Sequence, residues 1–91
     1  MAVIDLVAEE LHMKPEELMK ESLKTYLEKR LSKVEADIFI LTKKYGVKDV
    51  FEFDLKVKEG FINEDKGYED FFTFDNLETE REKIKKFLER L

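Results

Sequence analysis

Between Lys14-Pro15 and Gly46 apolar residues recur at Leu18, Leu23, Leu27, Leu31, Val34, Ile38, Leu41 and Tyr45, and from Leu23 onward the spacing runs in fours and threes. Only a helix gathers positions spaced this way onto one stripe, the way an a/d seam does. Pro15 suits a first helical turn, Glu16 and Glu17 suit the positive end of the helix dipole, and Gly46 supplies a C-terminal stop. The segment therefore predicts one helix of roughly 30 residues, about 45 Å long. Such a rod outruns the diameter of a 91-residue domain. Part of its stripe must be covered by a returning helix or by a second subunit, so a homodimer is expected.

The flanking segments supply shorter helices. Ile4, Val7, Ala8 and Leu11 share one helical face, with Asp5, Glu9 and Glu10 outside it. Val47 to Gly60 reads as a short helix capped by Asp49, with Val50, Phe53 and Val57 on one face. The alternation of Val47, Phe51, Phe53, Leu55 and Val57 would also suit a strand. Phe61 to Gly67 reads as a polar loop. Tyr68 to Leu91 carries Phe71, Phe74, Leu77, Ile84, Phe87, Leu88 and Leu91; from Leu77 the spacing fits a helix seam interrupted by Arg81, and the segment can fold back on the long helix. The expected fold is all-α: a single domain with a long central helix, an antiparallel C-terminal helix forming a helical hairpin with it, and short flanking helices.

Composition narrows the function classes. Charged and hydrophobic residues each make up 43% of the chain, which gives it enough apolar surface to offset the entropy of ordering. Three glycines and one proline leave too few turns for a sandwich or barrel. With no cysteine there is neither a disulfide nor a thiolate metal site. No basic-then-apolar leader and no apolar run of about 18 residues is present, so a cytoplasmic chain that neither enters nor spans a membrane is expected. A net charge of −5 argues against a general nucleic-acid binder.

Chemistry-bearing motifs are scarce. Glu9 and His12 have a Glu-x-x-His spacing, but a di-iron site needs a second such pair and two more carboxylates, and the chain has one histidine. No serine or threonine stands in a triad-like context, and no glycine-rich phosphate loop occurs. The expectation is binding rather than catalysis, with no cofactor and no metal.

The charges are unevenly distributed. Lys20, Lys24, Lys29, Arg30 and Lys33 face only Glu21 and Glu28 in their segment, and form a candidate phosphate-contacting face. From Glu64 to Glu82 eight acids stand against Lys66 and Arg81, interleaved with Tyr68, Phe71, Phe72 and Phe74. Rings supply buried anchors and carboxylates supply steering toward a basic target. Tyr68, Glu69, Asp70, Phe71, Phe72, Phe74, Asp75 and Glu78 are therefore the candidate partner-binding residues.

The order short helix (IDLVAEEL), turn (HMKP), second helix (EELMKESLKTYLEKRL) resembles the two helices of ribbon-helix-helix antitoxins and repressors. VEADIFILTKKYGVKDVFEF and EDFFTFDNLE resemble small archaeal antitoxin components of type II toxin-antitoxin pairs. That family reads DNA with a strand ahead of its first helix. Here only Met1 and Ala2 precede Val3, so the resemblance does not extend to operator binding. It implies a helical dimerisation unit over 1–46 and a partner-binding segment over 47–91 that neutralises a basic, RNA-directed toxin. The rival expectations are a DNA-binding transcriptional regulator and a self-assembling helical scaffold.

Overall fold

A computed structural model describes residues 2–91, the side chain of Lys66 excepted. Four helices follow in order: α1 (Val3–Glu10), α2 (Pro15–Tyr45), α3 (Val50–Lys58) and α4 (Glu64–Glu89). There is no strand among the described residues. α4 lies antiparallel along α2, as the reversed order of two cross-links shows: Arg30 reaches Glu80, and Lys44 reaches Asp70. α3 bridges the far end of this hairpin, and α1 folds back on the first turns of α2. No described helix is long and apolar enough to cross a membrane.

One turn geometry ends three of the helices. Gly46 takes a left-handed backbone (φ 64°), and the N–H of Val47 reaches back to the Thr42 carbonyl at 3.1 Å, which is the Schellman arrangement. His12 and Gly60 take the same conformation after α1 and α3, with Met13 N–H to Ala8 O at 2.8 Å and Phe61 N–H to Lys56 O at 2.9 Å. His12 thus sits exposed in a turn. Lys56 also donates to the Gly46 carbonyl at 3.0 Å, tying α3 to the end of α2.

The core sits at one end of the rod. Val34, Ile38 and Leu41 of α2, Val47, Phe53 of α3, and Phe74 and Ile84 of α4 are buried together. Residues 1–46 and 47–91 therefore share this core and do not form separate bodies. Phe53 is its centre, with Tyr45 edge-on at 4.5 Å between centroids, and Phe71 and Phe74 at 6.0 and 6.2 Å. The face expected for α3 is the one buried: Phe53 is fully enclosed, Val50 and Val57 are half-buried, and Phe51 and Leu55 point outward. The alternative strand would have buried Phe51 and Phe53 together.

One expectation changes at the start of α4. Phe61–Gly67 is not a loop throughout, because the helix begins at Glu64. Asn63 Oδ1 accepts the Asp65 N–H at 2.9 Å, a side-chain N-cap followed by two acids in the first turn. Gly67 belongs to that turn and is buried because the helix runs hard against α3 there. A Cβ on it would meet Ile62 Cγ2 at 2.9 Å and Phe53 Cζ at 3.5 Å.

The α4 seam is broken by Arg81, as its sequence position requires. Its buried Nε finds no hydrogen-bond partner among the described residues, and Glu82 lies 3.7 Å away. Arg81→Leu should therefore raise the unfolding free energy by about 1 kcal/mol, by completing the seam and removing an unsatisfied donor. Urea unfolding checks this, and a loss of stability would show that the guanidinium is needed where it stands.

Candidate partner-binding surface

Eight candidate residues lie on the first four turns of α4, and helical phase divides them. Phe74 is fully buried and Phe71 half-buried against Phe53, so neither is a free anchor; they are core. Tyr68 and Phe72, one turn apart, are 60% and 47% exposed. Their rings meet edge to face at 4.8 Å and 87°, and Phe72 also leans on Phe71 at 5.8 Å. Two aromatic rings locked together on the surface are already partly ordered for contact, which lowers the entropy cost of binding.

The four acids divide the same way. Asp70 accepts from Lys44 Nζ at 2.8 Å and from the Tyr45 hydroxyl, and these two donors hold its carboxyl below the usual range. Burial, together with the Asp70 hydrogen bond, pushes the Tyr45 hydroxyl up. Asp70 thus fastens α4 to α2. Glu78 lies over the first turn of α3, where its Oε1 accepts the Val50 N–H at 3.4 Å, beside the Asp49 side chain that accepts from Glu52 N–H at 2.8 Å. Burial raises the Glu78 carboxyl, and the Val50 bond opposes this. Glu69 and Asp75 are exposed and have no cationic partner among the described residues.

These shifts have opposite consequences. The Asp70 contribution to stability is present above the free carboxylate pKa of about 3.9 and is lost as pH falls through its lower folded value. Glu78 stabilises fully below about 4.3 and ceases to do so as pH rises through its higher folded value. Glu78→Gln keeps an acceptor for Val50 and removes the charge. It should raise stability at neutral pH by less than about 1 kcal/mol and have no effect near pH 3, as read by thermal unfolding at both pH values. A loss at neutral pH would show that the charge itself holds the start of α3.

Beside the exposed rings, α3 and α4 enclose a groove of about 200 Å³ lined by Asp54, Val57, Lys58, Glu64, Gly67, Tyr68 and Phe71. Val57, Gly67 and Phe71 supply its apolar lining. The volume is below that of most small-molecule sites and fits one inserted side chain. Asp54 is held by Lys58 at 2.9 Å, while Glu64 at the rim has no cationic partner among the described residues. Sequence reading missed Val57, Gly67 and Glu64 as wall residues. The readable signal was the Asn63-Glu64-Asp65 helix start, which places Glu64 and Gly67 on α4.

The basic residues of α2 do not gather on one face. At about 100° per residue, Lys20 and Lys24 project to roughly the opposite side from Lys29 and Lys33. Arg30 is bound to Glu80 at 2.5 Å, and Lys33 to Asp37 at 2.9 Å. The expected single phosphate-contacting face is therefore corrected to scattered cations, two of them already paired.

The chain belongs to the uncharacterized protein MJ0235 family, whose sequence profile matches residues 1–91. No curated protein and no solved structure matches it. Neither a ribbon-helix-helix nor an antitoxin assignment enters through this match.

Proposed function

We propose that the chain is a protein-binding module whose acidic, ring-bearing surface at the start of α4 docks and masks a basic protein, in the manner of an antitoxin occupying an RNA-directed toxin. The observation that carries this reading is the exposed Tyr68–Phe72 pair beside a side-chain-sized apolar groove. Around it stand Glu64, Asp65, Glu69 and Asp75, with no cation assigned to any of them among the described residues.

The chemistry suits a basic target better than a neutral one. An apolar side chain of the partner enters the groove, the rings cover it, and the carboxylates take the place that substrate phosphates would take on lysines and arginines. Carboxylate steering also speeds encounter with a cationic surface. Affinity capture of the tagged full chain from its native cells, run beside Tyr68→Ser/Phe72→Ser, tests the reading. Recovery of a small basic protein at fixed ratio by the native sequence only is the expected result. Equal recovery by both chains, or recovery of acidic partners only, overturns it.

A further inference from the structure

The molecule carries more surface than a chain of its mass needs. Its radius of gyration is 19.0 Å and its extents are 60 × 21 × 18 Å, whereas a compact chain of this length has a radius near 12 Å. Its accessible area is 7123 Å², against about 5,600 Å² for a compact monomer of 10.9 kDa. The excess is on the order of 1,500 Å². That is ample for a standard interface, which takes about 800 Å² from each partner.

Much of the apolar part of this surplus lies at the end of the rod away from the core. α1 exposes Val3, Leu6 and Leu11, and the adjoining turns of α2 expose Met19, Leu23 and Tyr26. Leu23 and Tyr26 continue, with Leu27, Phe87 and Leu91, into a shallow and almost wholly apolar groove between α2 and the end of α4. Leu23 and Leu27 are in seam register with Val34, Ile38 and Leu41, so this is the same stripe that is buried further along. α1, despite its amphipathic pattern, fully buries only Ala8.

Charge in this arm divides by sign. From α1 through the first turn of α2 run Asp5, Glu9, Glu10, Glu16 and Glu17 against Lys14, whereas Lys20 to Lys33 is net basic. Among the described residues Glu9, Glu10, Glu16, Lys20, Lys24 and Lys29 have no ion-pair partner, and by the helical period Lys20 and Lys24 border the stripe of Met19, Leu23, Tyr26 and Leu27 on one side and Lys29 on the other. A partner of one sign would meet repulsion over half of such a surface. A copy of the same surface turned head to tail meets attraction over both halves, which is the self-complementarity that a twofold interface requires.

We infer that a second copy of this chain covers the arm. The two α1–α2 hairpins pack side by side about a twofold axis, with the acidic turns of each against the basic turns of the other. Self-association then occupies one end of the rod and leaves Tyr68 and Phe72, about 35 Å away along α2, free.

Sedimentation of the full chain at micromolar concentration tests this. The native sequence should run at twice 10.9 kDa. Lys20→Glu/Lys24→Glu/Lys29→Glu and Glu9→Lys/Glu10→Lys/Glu16→Lys each give the arm a single sign. Each should self-associate at least about tenfold more weakly, with helical circular dichroism retained. An equimolar mixture of the two should restore the dimer, which misfolded chains could not do. A monomeric native chain, a dimer that both variants keep, or a mixture that stays monomeric each overturns the inference.

Discussion

Phe53→Ala should remove about 3 to 5 kcal/mol of stability. Phe53 is fully buried and touches Tyr45, Phe71 and Phe74, so the cavity would open where α2, α3 and α4 meet. A domain of this size holds about 5 to 10 kcal/mol in total, so the variant would retain little or no cooperative transition at physiological temperature. Phe51→Ala, two residues away on the exposed face of the same helix, should cost under about 0.5 kcal/mol. Thermal and urea unfolding of both variants measures the contrast. Similar losses for the two would mean that α3 is not seated as described.

The second large effect concerns binding and should leave stability nearly untouched. Tyr68→Ser/Phe72→Ser removes two rings that are exposed to solvent, so its unfolding free energy should fall by less than about 1 kcal/mol. Affinity for the basic partner should fall at least about 100-fold, since interfacial aromatic anchors carry 2 kcal/mol or more each. Phe74→Ala should behave in the opposite sense, because Phe74 is core: stability falls, and binding falls only as far as folding does. Calorimetry with the captured partner, paired with unfolding of each variant, separates the two. Unaltered affinity in the ring variant would remove Tyr68 and Phe72 from the interface.

The helical hairpin is legible in the sequence because the fours and threes of the Leu27 to Leu41 seam fit one period, with mostly charged residues between them. The start of α4 is less so. Gly67 reads as the end of a loop, yet it lies in the first turn of α4, where Ile62 and Phe53 press on it. The helical period separates Phe72 from Phe71 and Phe74, yet all three stand in the acidic aromatic stretch that reads as a binding surface. They lie within one turn of each other, and the placement of Phe53 shows that Phe71 and Phe74 face inward. Asp70 and Glu78 are likewise indistinguishable from Glu69 and Asp75 until Lys44, Tyr45 and the first turn of α3 are placed. The divergence of the basic residues of α2 was readable from the helical period alone, since their spacing does not follow a face.

Amide hydrogen exchange on the full chain, free and bound to the basic protein it captures, tests the central claim most directly. The account predicts new protection over residues 54–76, greatest around Tyr68 and Phe72, with the 3–30 arm unchanged. Protection confined to the arm, with 54–76 exchanging as in the free chain, would contradict it.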